Sequence, residues 1–303
     1  MIQFADSRIG QPVRFRSLTV FPLFQENRPI DYLLSDEAIE SGTVTVGEVS
    51  QEGSVPDLFV ENKGDRRALF LEGEELRGAK QNRILNTSVL VPAHARLNIP
   101  VSCVEQGRWR RTSAFLAASG TISPSHLRYA LKASVAKSLQ RNLGHRSDQG
   151  QVWEKVQEQQ DALAVSSATG ALADTYAKYE EEQVEAQKAL RYVPGACGLI
   201  VAIGQQIVTA DFFDKPATCE KVWSRLLSGL VLDSLMGKQA ESPPEPAQVE
   251  KLLQEIKNAS WAQTKAVGEG QEYRAECNGK AGSVLLFDGA MVHGSVVASG
   301  LGT

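Results

Sequence analysis

The sequence predicts an α+β fold, in which largely antiparallel β-sheets are packed against a helical middle segment. Strand-like segments fill the chain up to about residue 120, helical patterns follow to about residue 192, and strands then return. A run of strands followed by a run of helices favours an α+β architecture over alternating βαβ units. We therefore expect a single domain over residues 1–303, with a β-rich part (1–120), a helical part (121–192) and an α/β part (193–303).

The β-rich part is predicted from β-branched and aromatic runs. Residues 18–24 and 42–49 have the composition of strands, and a short helix with an acidic first turn is expected over 35–40 between them. Two further apolar runs, 67–71 and 84–91, are separated by a longer charged segment.

The next segment, 95–105, is predicted to be a strand with one buried face. Five residues share that face by the two-residue period of a strand: Leu97, Ile99, Val101, Cys103 and Glu105. Glu105 then lies at the rim of a core, where a carboxylate needs a cationic partner, unless the chain turns at Gln106 and the carboxylate faces water. Cys103 on this face is interpreted as a packed core thiol.

The helical part begins with Ser123 and Pro124, a favourable N-cap and first helical position. Apolar residues then recur in steps of four, which predicts one buried stripe: Leu127, Leu131, Val135 and Leu139. A weaker helix is expected around 152–163, and a long charged helix over 171–190.

The last part returns to strands at 198–203 and 207–213. Pro216 is expected to open the strongest helix of the chain. The segment from Ser283 to Val297 predicts a hairpin that turns at Asp288–Gly289.

Composition excludes several functional classes. A net charge of −4 and a pI near 5.7 argue against non-specific nucleic-acid binding, which normally requires a basic excess. No apolar run approaches the roughly 20 residues that span a bilayer, so no membrane association is expected. The N-terminus lacks a signal-peptide pattern, and four cysteines without paired spacing indicate reduced thiols in the cytoplasm.

The segment from Leu71 to Arg83 is the strongest candidate for a binding site. It is longer and more charged than a strand connection requires, which is typical of a binding loop held on a rigid sheet. We expect an anionic ligand to be held by Arg77, Lys80, Gln81 and Arg83. The alternative is a solvated hairpin tip whose ion pairs each contribute on the order of 0–1 kcal/mol.

Three carboxylates are the candidates for catalysis: Glu72, Glu75 and Glu105 could orient hydroxyl groups or act as acid or base. Asp211 ends a predicted strand just before a helix, so it is either a ligand-binding residue or, like Asp214, a helix cap.

Other polar residues carry weaker signals. Arg108, Arg110 and Arg111 surround Trp109, a pattern that is usually plain surface but would suit a nucleotide-like ligand. The four histidines show no metal-binding spacing, and only His293 is retained as an acid–base candidate.

Three segments resemble a prokaryotic domain family named for its genomic association with ADP-ribosylglycohydrolases and phosphatase-like proteins. They are residues 71–83 (LEGEELRGAKQNR), 99–105 (IPVSCVE) and 204–213 (GQQIVTADFF). This resemblance implies a role near NAD or ADP-ribose metabolism.

Our hypothesis is a cytoplasmic protein that binds an ADP-ribose-like or other phosphorylated small molecule, with hydrolysis as the candidate reaction. The alternative is a non-catalytic protein-interaction module, which an exposed apolar patch on the 123–140 helix would favour. The sequence identifies neither a cofactor nor an oligomeric state.

Overall fold

The computed structural model describes residue 2 and residues 4–26, 28–236 and 242–299. This part of the chain forms seven helices: α1 (Ser35–Glu40), α2 (Ser125–Gln140), α3 (Gln149–Ala162), α4 (Leu172–Lys178), α5 (Glu180–Ala189), α6 (Pro216–Leu235) and α7 (Pro246–Asn258). The first nine strands are β1 (Arg8–Ile9), β2 (Val13–Phe15), β3 (Leu18–Phe24), β4 (Tyr32–Leu34), β5 (Val44–Glu48), β6 (Asp57–Asn62), β7 (Arg67–Phe70), β8 (Glu74–Gly78) and β9 (Arg83–Leu85). The other nine are β10 (Val89–Val91), β11 (Ala95–Cys103), β12 (Leu116–Ile122), β13 (Gly198–Ile203), β14 (Gln206–Phe213), β15 (Ala262–Thr264), β16 (Gln271–Cys277), β17 (Lys280–Phe287) and β18 (Ala290–Ala298).

The larger sheet has nine strands in the order β1-β3-β13-β14-β18-β17-β16-β15, with β2 also paired to β3. Every pairing within it is antiparallel. Strand β13, an interior strand of this sheet, is buried along its whole length, as its apolar sequence predicts. The predicted hairpin at Asp288–Gly289 is confirmed as the β17–β18 turn.

The β-rich part folds into a closed six-stranded barrel in the order β11-β6-β5-β12-β8-β9. Alternate residues of its strands fill the interior: Val46, Leu58, Val60, Leu76, Leu85, Ile99, Val101 and Leu116. A three-stranded sheet, β10-β7-β4, accompanies the barrel, and its β4–β7 pair is parallel. The sheets are thus mostly antiparallel, and the predicted α+β class is confirmed.

The helical part packs between the sheets. Three of the four residues in the predicted α2 stripe are buried, with Leu127, Leu131 and Val135 at 0–1% exposure, whereas Leu139 is only partly buried. Helix α2 contacts β17 and β18, whereas α6 contacts β12, β13 and β14. None of the helices in the described part of the chain is long and apolar enough to span a membrane.

Three predicted boundaries are wrong. The charged segment 71–83 is not one loop, because Glu74–Gly78 forms β8 and a short turn leads into β9. The run 84–91 is interrupted by Asn86–Ser88, so that β9 pairs in the barrel and β10 pairs with β7. The predicted helix 171–190 is two helices that meet at Tyr179, where the backbone leaves helical geometry (φ −109°, ψ 31°).

Candidate functional site

One end of the barrel, here called the barrel mouth, carries charged groups beside the apolar interior. Strands β5 and β11 end there and β9 begins there, which brings Glu48, Cys103 and Arg83 to the same end. Arg83 pairs with Leu76 on one side and Cys103 on the other, so it shares the inward face of those residues. Barrel mouths are common ligand sites because they are concave and held by rigid strands.

Arg83 is the most unusual residue of the barrel mouth. It is fully buried (0% exposed), yet its guanidinium bonds only to Gln81, whose Oε1 accepts from Nη1 at 2.7 Å. Among the described residues, the Nε and Nη2 groups have no hydrogen-bond partner and no carboxylate oxygen lies within ion-pair distance of the guanidinium. Burial lowers the pKa of Arg83, with Cys103, Glu48 and Glu105 acting in the opposite direction. A buried cation with unused donors is costly, which marks it as a place for an anionic ligand.

Trp109 lies over Arg83, and Lys80 approaches the same ring. The Arg83 Cζ is 5.7 Å and the Lys80 Nζ is 5.1 Å from the centroid of the Trp109 ring, while Trp109 itself is 48% exposed. Lys80 also donates to the carbonyl of Glu52 and, through its backbone N–H, to Glu48 Oε1 at 3.2 Å. The other carboxylate oxygen of Glu48 is buried without a partner.

Glu105 is at the rim of the barrel core, as the alternation along β11 predicts. Its carboxylate accepts from Arg108 Nη2 at 2.6 Å, from the backbone N–H of Asn82 at 3.1 Å and from the Thr169 hydroxyl at 3.2 Å. Burial raises the pKa of Glu105, but these bonds outweigh it and hold the pKa below its ordinary value. Its cationic partner is therefore Arg108 and not one of the cations of 71–83, while Gln81 Nε2 donates to the Glu105 carbonyl at 3.0 Å.

Arg77 and Glu75 lie outside the barrel mouth. Both belong to the face of β8 opposite Leu76, and Arg77 Nη2 is 2.8 Å from Glu75 Oε2. The Thr121 hydroxyl also donates to Glu75. Burial raises the pKa of Glu75, although Arg77 and Thr121 oppose that shift.

Glu72 and Asp211 belong to a second group of buried polar residues between α2 and the larger sheet, here called the central polar cluster. Its members are Glu72, Ser88, Arg128, Lys132, Asp211, Ser283, His293 and Ser295, each no more than 6% exposed. Asp211, Ser295 and Ser283 are neighbours in one row across β14, β18 and β17. The sheet register thus places the carboxylate and hydroxyl groups beneath α2.

Helix α2 supplies the two cations of the central polar cluster, four residues and therefore about one turn apart. Arg128 donates to Asp211 at 2.5 and 3.2 Å and to Ser295 at 2.6 Å. Lys132 Nζ donates to Glu72 Oε2 at 2.7 Å and to Ser283 at 2.6 Å. Burial lowers the pKa of Lys132 to about 8 even though Glu72 opposes this.

His293 connects the cluster to the segment between β9 and β10. Its Nδ1 is 2.8 Å from Ser88 Oγ, and its Nε2 is 3.4 Å from Asp211 Oδ1. The Phe213 ring stacks on the imidazole at 5.1 Å. Burial lowers the pKa of His293 and the nearby Asp211 only partly offsets it, so the ring is neutral at neutral pH. Burial would raise the pKa of Asp211, but Arg128 and His293 hold it far below the ordinary value.

The structure thus divides the predicted site residues among three places. Lys80, Gln81, Arg83 and Glu105 meet at the barrel mouth, Glu72 and Asp211 lie in the central polar cluster, and Arg77 pairs with Glu75. Neither Asp211 nor Asp214 caps α6, whose N-cap is Lys215. Glu48, Ser88, Arg128 and Lys132 were not predicted, because their partners are far away in sequence. The alternation of Val44, Val46 and Glu48 is the one signal that could have revealed Glu48.

The described residues contain no group of three or more histidine, cysteine or acidic side chains that could hold a metal ion. The free thiols of Cys103, Cys197 and Cys219 are buried, in agreement with packed core cysteines.

Comparison with known proteins gives one match. A family model described as ARPP-1, the ARG and Rhodanese-Phosphatase-superfamily-associated Protein domain, matches residues 6–297. No curated protein and no solved structure shows significant similarity to the chain.

Proposed function

Since the chain belongs to the ARPP-1 domain family, we propose that it binds an ADP-ribose-like or other phosphorylated small molecule at the barrel mouth. The single observation that carries this proposal is the Arg83 guanidinium, buried with two nitrogens, Nε and Nη2, that donate to no atom of the described residues. A guanidinium presents a planar fork of donors that matches phosphate or carboxylate oxygens. The association of the family with ARG, which stands for ADP-ribosylglycohydrolase, supports an ADP-ribose-like ligand.

The surroundings of Arg83 fit a nucleotide-like molecule. The exposed Trp109 ring offers a stacking surface for a base, and Lys80 adds a second positive charge beside it. The unpartnered Glu48 Oε2 is an acceptor suited to a ribose hydroxyl. Arg108 adds a third cation, but Glu105 already neutralises it.

Access requires movement of the segment that carries Trp109. The indole ring covers Arg83, while its neighbours Arg110, Arg111 and Phe115 are exposed. We therefore place the opening at residues 106–115, which act as a cover that closes over the bound anion.

Carboxylate-assisted hydrolysis is the reaction we assign to this site if the ligand is turned over. Glu48 is better placed than Glu105 to orient an attacking water, since Glu105 is tied to Arg108 and Asn82. Glu72 and Glu75 lie elsewhere and are given no part in it. Incubation with ADP-ribose and chromatographic analysis of the products tests this assignment.

The interaction-module alternative has less support, since the apolar stripe of α2 is buried in the core.

Calorimetric titration with ADP-ribose, AMP, ribose 5-phosphate and inorganic phosphate tests the proposal. Arg83→Met keeps an unbranched aliphatic stem but removes the guanidinium charge, so we expect affinity to fall at least tenfold. The fold should keep its stability or gain some, because an unsatisfied buried cation is removed. Trp109→Ala should weaken ADP-ribose and AMP binding but leave ribose 5-phosphate unchanged.

Arg110→Ala is the matched control, an exposed cation in the same segment that should change affinity less than twofold. The proposal is wrong if Arg83→Met binds with wild-type affinity, or if the wild-type protein binds none of the four compounds.

A further inference from the structure

We propose that Ser88 is the nucleophile of a second, enclosed site in the central polar cluster, with His293 as its general base and Asp211 positioning His293. This inference goes beyond ligand binding at the barrel mouth and does not depend on it. The substrate class is a carboxylic ester, and the reaction is hydrolysis through a covalent acyl-serine.

Geometry is the first support. The three groups come from the β9–β10 connection, β18 and β14, and they converge as a nucleophile, a base within hydrogen-bond reach and a group that orients the base. Asp211 can only accept, so the His293 proton belongs on Nε2, which leaves Nδ1 to accept from the Ser88 hydroxyl. The Ser88 Oγ in turn accepts the backbone N–H of Glu72 at 3.0 Å, which fixes its direction.

Charge is the second support. A general base must be neutral to accept a proton, and burial keeps His293 neutral at neutral pH. Asp211 stays ionised because Arg128 pairs with it, so it can stabilise the imidazolium that forms during the reaction. Three polar atoms of the surrounding side chains are buried without a hydrogen-bond partner among the described residues: Glu72 Oε1, Arg128 Nε and Arg274 Nη1. Such unused groups indicate a site meant to receive a polar molecule.

The reaction balances with these groups alone. Ser88 Oγ attacks the ester carbonyl carbon while its proton passes to His293 Nδ1. The imidazolium then gives that proton to the leaving alcohol oxygen as the C–O bond breaks, and the acyl group remains on Ser88. A water molecule attacks this acyl-serine, His293 takes the proton of the water, and its return to Ser88 Oγ releases the carboxylic acid.

Access to Ser88 is governed by residues 141–148, which connect α2 and α3. His145 Nε2 is 2.7 Å from Glu272 Oε2, and Asn86 Nδ2 donates to the His145 carbonyl at 3.0 Å. Arg274 donates to both Glu272 and Thr87, next to Ser88. The connection is otherwise mostly exposed, so loss of the His145–Glu272 contact is the step that opens the site.

Covalent labelling tests the proposal without a known substrate. A fluorophosphonate phosphonylates an activated serine, with fluoride as the leaving group, and peptide mass spectrometry locates the adduct. We expect the adduct on Ser88 of the wild-type protein. Labelling should be lost in Ser88→Ala, fall at least a hundredfold in His293→Ala, and speed up at least fivefold in His145→Ala.

Ser35→Ala is the matched control, because Ser35 is equally buried but bonds to Glu74 and to no histidine. It should label at the wild-type rate. The adduct on the wild-type protein tests the proposal even if a variant does not fold. Melting curves identify any variant that is unfolded. No adduct in either the wild type or His145→Ala, or an adduct on another residue, would overturn the proposal.

Discussion

Asp211 and Arg128 are 83 residues apart in sequence and form an ion pair with both side chains no more than 1% exposed. The carboxylate accepts from both terminal nitrogens of Arg128 and from the Thr209 hydroxyl. The pair joins α2 to the larger sheet. It is also the part of the central polar cluster that keeps Asp211 ionised beside His293.

Replacing one partner of this ion pair should lower the stability of the fold far more than replacing both. Asp211→Asn leaves the buried Arg128 without its ion-pair partner, and we expect the free energy of unfolding to fall by about 3–5 kcal/mol in urea titrations. Arg128→Met combined with Asp211→Leu should recover most of that loss, since apolar replacements of a buried pair are often neutral. A cost below about 1 kcal/mol for Asp211→Asn would show that Arg128 is solvated or paired elsewhere.

The sequence could predict the helix that carries Arg128 but not the ion pair. Leu127, Leu131 and Val135 repeat in steps of four and are buried as predicted, whereas Leu139 is only partly buried. The predicted start is one residue too early, because Pro124 is the N-cap of α2 and not its first helical residue. Arg128 and Lys132 lie on a second buried face that has no apolar signal. Their partners are set by the pairing of β14, β18 and β17, a long-range register that one sequence does not encode locally.

The barrel mouth could also be predicted only in part from the sequence. Alternation along β11 correctly places Cys103 and Glu105 on one buried face, since the period of two is a local property. The closed barrel itself was not predicted, because β8 carries charged residues around a single inward leucine, Leu76, and therefore resembles a loop. Arg83 was predicted as a ligand-binding residue, but its burial depends on closure of the barrel.

Glu75 should prove dispensable for ligand binding, although the sequence suggested it as a catalytic residue. It lies on the face of β8 opposite Leu76, away from Arg83. Glu75→Gln should change affinity for ADP-ribose less than twofold in calorimetry, whereas Glu48→Gln should change it at least fivefold through the lost acceptor. A large effect of Glu75→Gln would move the site to the outer face of the barrel, beside Arg77.

Close backbone packing of α6 gives a prediction about the fold. A Cβ on Gly229 would lie 2.5 Å from the Ile122 carbonyl oxygen and 2.6 Å from Pro124 N. Gly229→Ala should therefore lower stability by about 1–3 kcal/mol, despite the better helix propensity of alanine. Gly150→Ala in the first turn of α3 is the control, because only the Asp148 side chain lies near, at 3.4 Å. Gly150→Ala should raise the urea midpoint slightly. Equal effects of Gly229→Ala and Gly150→Ala would contradict the role of close backbone packing at Gly229.

The His145–Glu272 contact makes stability depend on acid pH. Burial opposes ionisation of Glu272, but Arg274 and His145 outweigh it and lower its pKa from 4.5 to about 2. Between those values the unfolded state binds the extra proton, so stability is present above pH 4.5 and lost as the pH falls towards 2, by on the order of 3 kcal/mol. His145→Ala removes one lowering contact. Urea titrations at pH 6, 4 and 3 should therefore show lower stability at pH 6 and a smaller loss on acidification. His94→Ala is the control, at an exposed histidine beside Asp65. It should change neither the stability at pH 6 nor the loss of stability on acidification. If wild type and His145→Ala lose stability equally with falling pH, the His145–Glu272 contact does not cause the pH dependence.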